Sequence, residues 1–261
     1  NGVVIHYDGT SWNTIQGFTD KNLNSIHGTG ADKIYAVGSD GRIFLHNGSG
    51  WNRVNLGIDV DLNDVFCVSE DAVFIVGDDG FITRFDGNRW HRIESGVDAD
   101  LNAVWGWSGD EVYVGGDEGV LLRFGGESWN WIDCDAYTDI TDIWGVGHAN
   151  VFICGSVGKV YHYKDDQLIE QSVLPWLTYY GIWANSENMA LCIGSDNIIS
   201  HFDGEDWDQI TEFNNIGLKA VWGSSENDVF AVGENGKILH YDGGQWTSME
   251  SGTSENLWDV W

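Results

Sequence analysis

The chain has 261 residues, of which 12 are basic and 41 acidic, giving a formal net charge of −29. This balance excludes nucleic acid and anionic membrane surfaces as partners, since phosphate contacts need clustered Lys and Arg, and it suits a soluble protein that meets cationic partners. No apolar run is long enough to span a bilayer and none at Asn1 reads as a signal peptide, so export implies a leader already removed.

Asn1-Gly2 aligns with Asp40-Gly41, so the chain opens inside a repeated unit. Residues 3–7 read as that unit's third strand and Trp12 begins a fourth. From Leu23 onward the sequence copies itself, with starts at Leu23, Leu62, Leu101, Ile140, Tyr179, Leu218 and Leu257, spaced by 39 residues. A fixed period of this size means an array of supersecondary units.

The unit at 218–253 is the clearest. Residues 218–222 form a β-branched and aromatic run, 228–232 a second, 237–241 a third and 246–249 a fourth. Asn235-Gly236 between the second and third is a hairpin signal, because both places tolerate positive φ. The place after that turn is Gly2, Gly41, Gly80, Gly119, Gly158 and Gly236; only Asn197 departs, and Asn is the next residue most tolerant of left-handed backbone. Four short antiparallel strands per unit, with no helical period, describe a propeller blade.

The expected fold is therefore all-β: a seven-bladed β-propeller of 39-residue, four-stranded blades, forming one domain over 1–261. Six full copies begin at 23, 62, 101, 140, 179 and 218. The closing blade is assembled from 257–261 and 1–22 and lacks one strand, because seven units would need 12 more residues than are present. Either the sequence is cut short at one end, or another chain or copy supplies that strand.

Four cysteines fall at unrelated places of the repeat, which is neither a disulfide framework nor a metal spacing. Cys154 and Cys192 lie on second strands of adjacent blades, where buried free thiols are expected and a bridge is the alternative.

The consensus VWGSSxxDVFAVGxxGxIxHYDGxxW resembles a β-propeller repeat of exported and surface proteins of bacteria and archaea, over the whole chain. Asp242-x-Gly244-x-Trp246, with Asp8 and Trp12, Asp86 and Trp90, and Asp203 and Trp207, is distantly similar to the Asp-box of neuraminidase-type repeats. There the box ties the turn between third and fourth strands. The resemblance implies a propeller and an extracellular or cell-surface location, and no activity.

Residues shared by every blade are expected to build blades. Trp12, Trp51, Trp90, Trp129, Trp207 and Trp246 share one place, and Trp105, Trp144, Trp183, Trp222 and Trp261 another, as inter-blade packing. His6, Arg84, Arg123, His162, His201 and His240 share a third-strand place. Metal ligands must converge within a few ångströms, so hydrogen bonds to nearby turn carboxylates are expected instead.

Off the template stand Trp107, Trp131, Trp176 and Trp258. Trp176 lies in the inter-blade loop Val173-Leu174-Pro175-Trp176-Leu177, before Tyr179-Tyr180; Trp258 occupies the same place as Tyr180, and Tyr137 the preceding inter-blade loop. Trp176, Tyr179, Tyr180, Trp258 and Tyr137 are the candidate ligand-binding residues on one face of the disc. The same face carries Asp20, Asp59 and Asp98 at one place and Asp61, Asp100 and Asp139 at another. The run 59–64 offers oxygens to calcium but lacks the turn Gly and distal Glu of a dedicated loop, so no cofactor is expected and solvated charge is the plainer account.

Catalytic and metal residues are expected to be none. No nucleophile elbow is present, and the arginines at 42, 53, 84, 89, 92 and 123 all fall in the first half without the Tyr–Glu pair that a neuraminidase-like glycoside hydrolase would need. The expected function is a non-catalytic exported binding or scaffold propeller making protein contacts or self-assembling. A carbohydrate-binding propeller is the alternative.

Overall fold

A computed structural model describes residues 2–15, 19–134, 137–171, 174, 176–210 and 217–261. Strand follows strand through hairpins. Blade one comprises Leu23–Gly30, Lys33–Gly38, Arg42–His46 and Trp51–Val54, antiparallel and in sequence order. Five more four-stranded sheets repeat it, with first strands opening at Leu62, Leu101, Ile140, Tyr179 and Leu218. First strands of successive blades pack together around a central channel, which makes the molecule a β-propeller.

The count corrects the seven-bladed expectation: among the described residues six four-stranded blades are present, with a separate two-stranded sheet of β1 (Val4–Tyr7) and β2 (Trp12–Ile15). Residues 257–261 sit where a first strand would begin but form no ladder. The physical reason is that a strand exists only through its partner, and no described residue supplies a second strand between 257–261 and β1. The segment is held otherwise: Leu257 N–H donates to the Gly233 carbonyl at 3.0 Å, and Asp259 accepts the Ile26 N–H at 2.8 Å.

Each two-residue turn between second and third strands has positive φ twice, as at Asn235 (55°) and Gly236 (71°). Third-to-fourth turns are tied by their leading Asp: Asp242 Oδ1 accepts Gly244 and Gln245 N–H, both at 2.9 Å, and Asp203, Asp86 and Asp8 do the same for their own turns. Those backbone donors hold all four carboxyls below the usual range.

The repeated side chains pack between blades. A Cβ added to Gly145 would strike the Trp105 indole of the preceding blade, and Trp183 and Trp261 likewise lie over Gly223 and Gly28. Trp144 Nε1 donates to the Ala184 carbonyl at 3.0 Å. Of the third-strand imidazoles, His240 Nε2 meets the expected carboxylate, Asp228, at 2.8 Å, whereas His162 Nε2 meets the Asn150 amide oxygen at 2.6 Å. His162 also stacks on Phe152, and His240 on Phe230, directly across the ladder. Cys154 and Cys192 are free and buried, and burial pushes the Cys192 thiol up.

Candidate functional site

The channel mouth is shaped by one irregularity. In all six blades the ladder between first and second strands slips at the second residue of the first strand. A bulge re-aims the side chain it carries. In the first four blades that side chain reaches across to the next blade: Asn24 donates to the Leu62 carbonyl (2.9 Å), Asn63 to Leu101 (3.1 Å), Asn102 to Ile140 (3.1 Å) and Thr141 to Tyr179 (2.7 Å). The belt of hydrogen bonds then stops, because the next occupants are Tyr180, Lys219 and, at the equivalent place, Trp258.

These three form a different contact. Lys219 Nζ lies 4.8 Å from the Tyr180 ring centroid and 5.5 Å from that of Trp258, while a 3.0 Å ion pair to Glu234 anchors the ammonium. Tyr180 is 36% exposed and Trp258 45%. An ammonium between two rings is held by both quadrupoles, so the trio is ordered and wet.

The other predicted residues are placed differently. Tyr179 is completely buried, its hydroxyl 3.2 Å from Ser200 Oγ; it precedes the bulge and turns into the core. Trp176 (73% exposed) and Tyr137 (87%) stand on inter-blade connections. Those connections are tied to neighbouring turns, since Gly158 N–H donates to the Leu177 carbonyl and Gly119 N–H to Thr138. Val173 and Pro175 of the loop before Tyr179 lie outside the described residues. Trp107 and Trp131 are exposed as well.

The acids at the repeated place are fasteners for the backbone. Asp61, Asp100 and Asp139 accept the N–H of Asp40, Asp79 and Glu118 in the preceding blade's turn, at 2.9, 3.0 and 3.2 Å. Among the described residues no three potential ligands stand close enough to hold one metal ion.

Deeper in the channel lies a group that the sequence reading did not bring together, having met Asp64 only as the end of the run 59–64. Asp64, Asp142 and Asp259 share the third place of the first strand, where other blades have Ser, Ala or Gly. Each carboxylate bridges two blades, accepting its own successor's N–H and one from the next blade: Val104 for Asp64 at 2.7 Å, Ile182 for Asp142 and Ile26 for Asp259 at 2.8 Å. All three line a cavity of about 60 Å³. Desolvation and the charge of Asp259 push Asp64 up to about 7; desolvation also raises Asp259 to about 6 and Asp142 well above the ordinary value. The signal available was an acid at a strand-interior place that is otherwise small.

Opposite this face, Glu111 of blade three gathers Arg123 (3.4 Å), the Tyr113 hydroxyl (3.1 Å), the Ala149 N–H (3.1 Å) and His148 of blade four. Arg123 also meets Asp166 at 3.0 Å. Charges paired this fully tie blades three and four.

No family model matches this chain, and no curated protein does. Among solved structures, the chain is similar to YCF48 bound to D1 peptide, with 16% identity, a TM-score of 0.74 and coverage of 93% of this chain and 86% of that one. It is similar to the WD40 β-propeller domain of Doa1 at 14% identity, TM-score 0.73, covering 92% and 86%. YCF48 from Cyanidioschyzon merolae aligns at 14% identity, TM-score 0.73, covering 95% and 91%. Likeness at these identities establishes the propeller fold.

Proposed function

We propose that this chain is a non-catalytic, exported protein-binding propeller that captures a peptide segment of its partner at the channel mouth. The observation that carries this reading is the break in the belt: where four blades are stitched by Asn and Thr, Tyr180, Lys219 and Trp258 present two half-exposed rings around one ammonium. Aromatic anchors beside fixed charge are what peptide hot spots consist of. The likeness to YCF48 bound to D1 peptide supports the reading by fold alone. The net charge of −29 favours an encounter with cationic segments.

Panning a random peptide library on the protein, then measuring the enriched peptides against Tyr180→Ala and Trp258→Ala, tests it. Each variant should bind roughly tenfold more weakly, the scale of a hot-spot truncation, with unchanged thermal stability. Enriched peptides that bind the variants as tightly as the parent would remove the mouth as the site. A glycan array run in parallel should stay blank; aromatic-dependent glycan binding would put carbohydrate in the peptide's place.

A further inference from the structure

The turn joining the third and fourth strands of blade one departs from its counterparts. Four of those turns open with an aspartate, Asp8, Asp86, Asp203 or Asp242, whose Oδ1 accepts two successive backbone N–H groups. In blade one the opening residue is Asn47, followed by Gly48 and Ser49, all three exposed. The residue before it is His46, at a place where every other copy has Tyr or Phe.

Asn followed by Gly is a labile pair: the glycine nitrogen reaches the side-chain carbonyl carbon by closing a five-membered ring, and no Cβ obstructs it. Three contacts bear on that reaction here. The Gly48 N–H, which becomes the nucleophile on losing its proton, donates to His46 Nδ1 at 3.3 Å. The Asn47 amide oxygen, Oδ1, accepts the Ser49 hydroxyl at 2.7 Å and the Ser49 N–H at 3.2 Å. His46 Nδ1 also lies 3.1 Å from the Ala31 carbonyl, a contact made when Nδ1 carries the proton. With the proton on Nε2 instead, Nδ1 is an acceptor and faces Gly48. A base on the nucleophile and two donors on the oxygen that turns negative are the parts of an acyl-transfer site.

We propose that this turn deamidates itself, with Asn47 as substrate, Gly48 as nucleophile, His46 as base and Ser49 as oxyanion donor. His46 takes the Gly48 proton, the nitrogen bonds to Asn47 Cγ, and the charge falls on Oδ1 between the two Ser49 donors. As the carbonyl re-forms, the bond from Cγ to the amide nitrogen breaks and His46 returns the proton to that nitrogen. Ammonia leaves and a succinimide remains. Water opens the ring to aspartate or isoaspartate, so the sum is amide plus water to carboxylic acid plus ammonia. The aspartate product gives blade one the opening residue of the four turns above, and either product adds one negative charge.

The test incubates the protein at neutral pH, folded and in urea, and follows two sites by peptide-mapping mass spectrometry, which reads the one-dalton gain of either product. The reference site is Asn235-Gly236, where the Asn235 side chain meets no hydrogen-bond partner among the described residues. Asn47 should react about tenfold faster folded than in urea, part of what a positioned base supplies, and Asn235 should not. His46→Phe, which installs the ring of other blades, and Ser49→Ala should each slow folded Asn47 about tenfold and leave Asn235 unchanged. Ser49 is exposed, so its variant reads the site even where the ring exchange disturbs the strand end. A turn that merely protects its amide gives the opposite sign, with Asn47 slower folded than in urea, and that result overturns the proposal. So does a folded rate that Ser49→Ala, or a folded His46→Phe, leaves unaltered.

Discussion

Whether two blades are stitched or left open at the mouth depends on single side chains. Asn, Asn, Asn and Thr reach a neighbouring carbonyl; Tyr180, Lys219 and Trp258 do not. The same scale governs the channel carboxyls. Asp64, Asp142 and Asp259 have folded values raised above the ordinary 3.8, so the folded state holds protons that the unfolded chain has shed. The contribution of Asp64 and Asp259 is present below about pH 4 and is lost as pH rises through 6 to 7. Buried imidazoles work the other way: His27 is depressed to about 3 and His162 to about 4 by desolvation, so their contribution is present above about 6.5 and lost as pH falls. The two effects oppose each other in acid and separate above pH 6.5. The melting temperature should therefore fall from pH 6.5 to 8.5, by roughly 2–4 °C for each kcal/mol withdrawn. In Asp64→Asn the fall should be visibly shallower across that window. An unchanged slope would mean that Asp64 is already ionised at pH 6.5. Only the acid at an otherwise small strand-interior place was legible beforehand; its titration was not, because a carboxylate pointing into a lumen and one pointing into solvent read alike in sequence.

Hairpins were legible. Alternation, Asn-Gly-type turns and a constant period carried enough local information to place every first strand of the six blades. The bulges were not, and they decide the site: Tyr179 and Tyr180 are adjacent aromatics, yet the slip between them buries one and exposes the other. Packing between elements obeys the same economy of space. Gly145 receives the Trp105 indole, so Gly145→Ala must push that ring off its seat. Overpacking of this kind costs about 1–3 kcal/mol, measurable as a lowered denaturation midpoint with an unchanged urea slope. If Gly145→Ala melts with the parent, the tryptophan has room to move and the contact is loose.

Across the whole molecule, periodicity overcounted. Seven starts were read as seven blades, but a repeat's opening residues do not make a sheet when the strand that would pair them is not there. Among the described residues the closure is made by Asp259 to Ile26, Leu257 to Gly233, Trp261 over Gly28 and beside His27, and Tyr7 and Trp12 against Phe230 of blade six. Trp261→Ala should lower unfolding stability by about 3 kcal/mol, the usual loss for truncating a packed tryptophan. A loss near zero would show that the ring closes without it.

The channel carboxyls give the ring a common fastening. Asp64, Asp142 and Asp259 each hold their own strand and the next blade's through one side chain. Drawing any one of them frees two neighbours at once, as drawing a rivet frees both plates that it joins.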